Sequence, residues 1–156
     1  MPRRYRPPKR KIVPDTRYQS LLVSRFVSKL MERGKRSTAE RIIYDTFDII
    51  EKRMGRPPLE VFEEAIANSA PVLEVKPRRV GGATYQVPVE VSADRRTSLA
   101  IRWIIQHSRS RSGRSMAEKL SAELMDAAKG IGVTIKRKED THKMAEANRA
   151  FAHYRW

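Results

Sequence analysis

The sequence predicts a mainly α-helical protein of six helices, with one β-hairpin and a basic, extended N-terminal arm. Three observations lead there. Apolar residues recur at helical spacing in six stretches; the period switches to two only between Val72 and Val91, around Gly81-Gly82; and the first 15 residues hold four prolines among six cations. At 156 residues the chain is close to the usual size of one domain, so residues 16–156 are expected to form a single helical domain behind an arm of residues 1–15.

The arm, with Arg3, Arg4, Arg6, Lys9, Arg10 and Lys11, has no face to bury, and its prolines keep the backbone extended. From Tyr18 a first helix is marked by Leu22, Val23, Phe26, Val27, Leu30 and Met31, and it stops at Gly34. Ser37 with Glu40 makes a capping-box pattern for a second helix, whose stripe of Ile42, Ile43, Phe47, Ile50 and Met54 runs to Gly55-Arg56-Pro57-Pro58. A shorter third helix sets Leu59, Phe62, Ala65 and Ile66 against Glu60, Glu63 and Glu64 and closes at Pro71. In the hairpin, Val87, Val89 and Val91 alternate with polar residues, and Pro77 and Pro88 are tolerated because each strand of a two-stranded ribbon has an open edge. The hairpin, over about 72–91, is therefore expected to be an arm and not part of a larger sheet.

After Ser92 and Asp94 a fourth helix carries Leu99, Trp103, Ile104 and Ile105 and runs out in a Ser/Arg-rich loop, residues 107–113. Ser115 and Glu118 repeat the capping box for a fifth helix, with Leu120, Leu124, Ala127 and Ala128 inward and Gly130 and Gly132 at its end. The last helix is expected to place Met144, Ala147 and Phe151 on one side, with Lys136, Arg137, Lys138, Lys143 and Arg149 elsewhere around it.

Charge narrows the function. Lys and Arg number 33 against 18 Asp and Glu, a formal charge of +15, so a polyanion is the expected partner. The excess is segregated. Residues 1–36 hold 12 basic and 2 acidic side chains and residues 75–115 hold 9 and 2, whereas residues 37–74 hold 4 and 8 and residues 116–156 hold 8 and 6. A surface made only for solubility would intersperse both signs. RNA is favoured over DNA, because an extended arm, a hairpin and a loop suit an irregular shape better than a groove of constant width. The alternative is an architectural DNA-binding helical protein.

Other classes are set aside. No stretch reaches the roughly 18 consecutive apolar residues of a membrane span, and no apolar segment follows the positive start as in a signal peptide, so a cytoplasmic protein is expected. There is no cysteine, hence no disulfide, thiolate nucleophile or Cys-ligated zinc. His107, His142 and His153 are scattered without metal-ligand spacing, and Asp45 and Asp48 are read as two carboxylates on a solvated helix face rather than a catalytic pair. Gly34-Lys35-Arg36-Ser37 lacks the earlier glycine and the preceding strand of a phosphate loop. No catalytic residue, metal, cofactor or small-molecule substrate is expected. Trp103 reads as core and Trp156 as a terminal cap; Tyr5 and Tyr85 could stack on bases or cover apolar neighbours.

The stretch PRRVGGATYQVPVEVS, Pro77 to Ser92, closely resembles the signature of the bacterial small-subunit ribosomal protein number seven family. The likeness extends to SRFVSKLMERGKRSTAERIIYD from Ser24, LAIRW from Leu99, SMAEKLSAEL from Ser115 and MAEANRAFAHYRW from Met144, and so to nearly the whole chain after residue 14. The resemblance implies a bundle of six helices with a projecting hairpin. It also implies a structural constituent of the small ribosomal subunit that binds the 3′ major domain of small-subunit (16S) rRNA, nucleates head assembly and lies at the subunit interface near the exit-site tRNA. Implied partners are that rRNA, the exit-site tRNA and small-subunit proteins number nine and number eleven. By the same resemblance the rRNA surface comprises Arg3, Arg4, Arg6, Lys9, Arg10, Lys35, Arg36, Arg78, Arg79, Arg95, Arg96, Arg102, Arg109, Arg111 and Arg114. The tRNA-proximal set is Arg78, Arg79, Val80, Gly81, Gly82 and Tyr85 at the hairpin, with Lys143 and Arg149 on the final helix. The chain departs from the family pattern where Pro7-Pro8 interrupts the arginine run of the arm and where Ala70 precedes Pro71.

Overall fold

The computed structural model describes residues 11–154, so Arg3, Arg4, Arg6, Lys9, Arg10, Tyr5 and Trp156 lie outside the described residues. The chain divides into two compact units, one ending at Glu40 and the other beginning at Arg41.

In the first unit, Asp15 is buried and its carboxylate accepts the backbone N–H groups of Arg17 and Tyr18, both at 3.1 Å. Those amides are thereby turned away from a helix, so α1 (Leu21–Leu30) starts after Tyr18, behind Ser20, whose hydroxyl accepts the Val23 N–H at 3.5 Å. Val23, Phe26, Val27 and Leu30 are buried along it, as their spacing requires. The helix ends at Leu30 and not at Gly34: Met31 already leaves helical geometry at ψ 133°, and the chain then turns through Arg33 and Gly34, both at positive φ. The same turn overrides the expected Ser37 cap. Helix α2 (Arg36–Met54) is already under way at Arg36, with the Ala39 N–H bonded to the Lys35 carbonyl, and Glu40 pairs with Arg36 instead of reaching back to an amide.

In the second unit, the later part of α2 buries Ile43, Phe47 and Ile50. Phe47 meets Phe62 of α3 (Pro58–Ser69) edge-on, ring centroids 5.4 Å apart. Pro58 opens α3 at its first turn, where its missing N–H costs nothing. Val61, Phe62, Ala65 and Ile66 face inward, while Glu60, Glu63 and Glu64 are exposed. Strands β1 (Leu73–Val80) and β2 (Ala83–Glu90) form one antiparallel pair, register Leu73 with Glu90 through Val80 with Ala83. The two-residue turn has φ of +57° at Gly81 and +91° at Gly82, the conformation for which only glycine is unstrained.

Helices α4 (Ala93–Ser110) and α5 (Met116–Ala128) pack on each other and on α3, and α6 (Val133–Ala147) packs on α4 and on the base of the hairpin. A short 3-10 helix, Arg149–Tyr154, lies against β2. Trp103 is buried with Leu99 and Val91, which packs α4 against the residue that leaves the second strand. The Ser115 cap forms, its hydroxyl accepting the Glu118 N–H at 3.2 Å, while the Glu118 carboxylate takes the N–H of Arg114 at 3.2 Å. The stripe expected for α6 is not the one that is buried. Met144 and Ala147 are exposed, Phe151 belongs to the 3-10 helix, and the inward face is Thr134, Ile135, Thr141 and Ala145. Threonine fits there because its hydroxyl is satisfied inside the fold, by Glu123 for Thr134 and by the Arg137 carbonyl for Thr141. Six α-helices, one 3-10 helix and a two-stranded hairpin among the described residues make the protein mainly α, as the sequence predicts. No helix of the described residues is long and apolar enough to cross a membrane.

Candidate nucleic-acid interface

Arg95, Arg102 and Arg109 recur every seven residues along α4, which puts them on one line with neighbours about 10.5 Å apart. All three are exposed, whereas Leu99, Ala100, Ile101, Trp103, Ile104, Ile105 and Ser108 are buried, so the arginine line runs along the solvent side of α4, which it shares with Asp94, Gln106 and Ser110. Arg102 makes no side-chain hydrogen bond or ion pair among the described residues. Arg95 does: it clasps both oxygens of the nearly buried Glu74 carboxylate on β1, at 2.8–2.9 Å. Lys76 reaches the same carboxylate at 3.1 Å. Burial pushes the Glu74 carboxyl up, but the hydrogen bonds from Arg95 and Lys76 outweigh it and hold the group below the usual carboxylate range. Beside it, the Arg96 guanidinium donates to the Val91 carbonyl at 2.8 Å. Arg95 and Arg96 therefore fasten the foot of the hairpin to α4 while leaving positive charge at the surface.

At the other end of the hairpin Arg78 and Arg79 are exposed, opposite Tyr85 and Thr84, in the third and second pairs below the glycine turn. Arg79 has no side-chain partner among the described residues. Val80 is half-buried and Gly81 and Gly82 are exposed at the tip. Tyr85 is engaged within the protein: its ring lies 5.2 Å from Phe151 and 5.3 Å from Tyr154, a cluster that seats the 3-10 helix on β2. Lys143 and Arg149 are exposed, the first on α6 and the second at the start of that 3-10 helix. His142 accepts the Val72 N–H on its Nε2 at 3.0 Å, and burial together with Lys138 keeps its pKa below the usual histidine range. Between β1, β2, α6 and the 3-10 helix is an open groove of about 570 Å³, lined by Leu73, Pro88, Ala145 and Ala152 among others.

Three arginines at the end of α4 and in the loop to α5 are held differently. Arg109 and Arg114 are exposed. Arg111 turns inward, donating from Nε to Glu123 at 2.5 Å and from Nη2 to Asp126. Burial works against its charge, and the hydrogen bonds to Asp126 and Glu123 outweigh burial, so its pKa rises. In the first unit Lys35 is exposed, and Arg36, also exposed, pairs with Glu40 at 2.7 Å and approaches the Ser24 hydroxyl at 3.4 Å.

In the second unit the expected basic residues thus occupy the exposed line of α4, the hairpin and the flanks of the α4–α5 loop, and the acidic residues of α3 lie on another helix, where Arg56 pairs with Glu64 at 2.8 Å. Sequence reasoning passed over Glu123, although its position three residues after Leu120 and four before Ala127 puts it on the apolar face of α5. It also passed over Asn68, whose amide donates to the Ala127 and Ala128 carbonyls, at 3.2 and 2.9 Å, and ends α5. No group of three or more potential metal ligands occurs among the described residues.

The family model for ribosomal protein S7p/S5e matches residues 2–149. The chain belongs to that family. Relatives named small ribosomal subunit protein uS7 match over all 156 residues and over the whole of their own length: the protein of Carboxydothermus hydrogenoformans is 65% identical, that of Thermomicrobium roseum 61% and that of Desulfatibacillum aliphaticivorans 60%. As an S7p/S5e protein the chain is a structural protein of the small ribosomal subunit, an rRNA-binding component of the cytoplasmic translation machinery, and not an enzyme.

Proposed function

We propose that the protein binds the 3′ major domain of small-subunit rRNA directly, helps to nucleate the head of the subunit, and lies at the subunit interface with its hairpin tip toward the exit-site tRNA. The observation that carries this reading is the arginine line of α4, an outward row of guanidinium groups on a helix whose opposite face is core. Guanidinium groups suit phosphate because they donate in a planar fork and stay charged. Arg102, Arg109 and Arg114, with Arg95 and Arg96 beside the hairpin foot, would track one stretch of rRNA backbone, and Lys35 and Arg36 another. Arg3, Arg4, Arg6, Lys9 and Arg10 would extend the surface as an arm of residues 1–15 leaving a helical domain of residues 16–156. Arg78, Arg79 and the Val80-Gly81-Gly82 tip would approach tRNA, where glycine lets backbone come close, with Lys143, Arg149 and Tyr85 nearby. Proteins number nine and number eleven of the same subunit would be its neighbours.

Function on this reading is stabilisation of an RNA shape. Ordering a segment on RNA costs about 1–2 kcal/mol per residue fixed, offset by counterion release and charge-assisted contacts. With six to ten phosphate contacts, affinity should fall roughly a thousand- to a hundred-thousand-fold between 50 and 200 mM salt, taking the duplex-DNA rule as a guide. The experiment is a filter-binding titration of the full chain on an isolated 3′ domain transcript, with Arg102→Gln as the variant. Weaker binding with a shallower salt dependence is expected, and unchanged binding would remove α4 from the interface. An affinity for duplex DNA equal to that for the transcript would favour an architectural DNA-binding protein.

A further inference from the structure

Three helices meet at Arg111. The residue is the C-cap of α4, its guanidinium reaches Glu123 and Asp126 on α5, and the Glu123 carboxylate uses its second oxygen to accept both the hydroxyl (2.5 Å) and the backbone N–H (3.3 Å) of Thr134 in the first turn of α6. Glu123 is 1% exposed and Thr134 is fully buried, so this carboxylate closes α6 at its N-terminus from inside the fold and is itself neutralised by Arg111. Gly132, at φ +102°, lies so close that a Cβ there would stand 3.3 Å from the Asp126 Cβ and 3.7 Å from the Arg111 Nη2. Within the α4–α5 loop itself, a Cβ on Gly113 would meet the Lys119 Cγ at 3.0 Å. The α4–α5 loop is thus tied to α5 by the Arg111 side chain at its start and by the close approach of Gly113 to Lys119, while Gly132 before α6 packs on the same junction. The two exposed arginines, Arg109 and Arg114, flank the anchored one.

We infer that Arg111 is a positioning residue and not itself a phosphate ligand: with Glu123 and Asp126 it forms a buried junction that holds the α4–α5 loop in the shape in which Arg109 and Arg114 meet RNA backbone. This rests on the rRNA-binding reading and names a device within it. A loop already fixed before binding does not have to be ordered on the RNA, and affinity rises accordingly. Two acidic residues close to an RNA surface would otherwise be a cost; here their charge is spent on Arg111 inside the protein.

The test is Glu123→Gln in the full-length chain. The substitution makes the protein more positive, so an Arg111 that merely contacted phosphate would be released and binding to the 3′ domain transcript would tighten. The junction requires the opposite: roughly tenfold weaker binding from loss of loop order, with the salt dependence close to wild type because Arg109 and Arg114 still reach phosphate. Arg109→Gln is the contrast, weakening binding and lowering the slope of log affinity against log salt by about 0.7–0.9. Asp126→Asn, at the half-exposed rim of the junction, is the second variant should Glu123→Gln unfold, and a smaller loss of the same kind is expected. Wild-type or tighter binding by a folded Glu123→Gln or Asp126→Asn protein would overturn the assignment of Arg111, while the rRNA-binding reading would stand as long as the wild-type chain prefers the transcript to duplex DNA.

Discussion

The hairpin tip and the α4–α5 loop are both short, arginine-bearing turns, and they hold their charges in opposite ways. At the tip, Arg79 projects with no side-chain partner among the described residues, two positions from a glycine pair whose positive φ angles make the turn. In the loop, Arg111 is drawn in by carboxylates 12 and 15 residues further along the chain. What lies across from a guanidinium in the fold decides its task. Arg79 meets no charge or side-chain hydrogen bond among the described residues and is available to a partner, whereas around the loop one of three arginines is given up so that the other two are held in place.

The largest expected effect separates the two regions by stability. Arg111→Met leaves the Glu123 carboxylate buried without its counter-charge and should cost on the order of 3 kcal/mol. For a chain of this size that is a fall in Tm of roughly 6–12 °C by circular dichroism. Arg79→Gln should stay within about 0.5 kcal/mol of wild type. Equal shifts for the two would erase the distinction.

Next comes binding. The double substitution Arg79→Gln with Arg102→Gln should weaken association with the 3′ domain transcript about tenfold and lower the salt slope by roughly 1.4–1.8, with no change in Tm. If the slope stayed at the wild-type value, neither residue would be a phosphate contact.

The tip should also be sensitive where its backbone is special. Gly82→Ala at φ +91° is expected to cost about 1 kcal/mol. The loss should stay within the hairpin and be read as faster amide exchange across Arg79 and Thr84 with unchanged exchange in α4. Protection unchanged in the hairpin would mean that the turn tolerates a side chain.

The smallest effect is at the hairpin's foot. Because burial and Lys138 depress the His142 pKa, the unfolded chain binds a proton there more readily than the folded one. Stability should therefore decline as pH falls below about 6.5, the ordinary histidine value. His142→Gln should flatten that part of the curve, and a curve identical to wild type would exclude His142 as its source.

The hairpin was legible from sequence almost residue by residue because its information is local: a period of two, prolines suited to open edges, and a glycine pair that fixes the register. The apolar stripes of α1, α2, α3 and α5 were legible for the same reason, periodicity being carried by large side chains. Where polar residues are buried the pattern fails. Thr134 and Thr141 take the inner face of α6 because their hydroxyls find acceptors, while Met144 stays outside at 46% exposure, so hydrophobicity alone points to the wrong side. Ser37 has the composition of a cap and is not one, since Arg33 and Gly34 set the start of α2 by their positive φ. The site divides in the same manner. Outward arginines at a seven-residue spacing could be read from the chain, but Arg109, Arg111 and Arg114 are equivalent until α5 brings Glu123 and Asp126 up to one of them.

Competition binding of the full-length chain to an isolated 3′ domain transcript, with duplex DNA as rival, at 50 and 200 mM salt, tests the rRNA-binding role most directly. Tight, DNA-resistant binding that falls steeply with salt and weakens in Arg102→Gln is expected. Binding that DNA displaces as readily as RNA, or that Arg102→Gln leaves untouched at both salt concentrations, would contradict it.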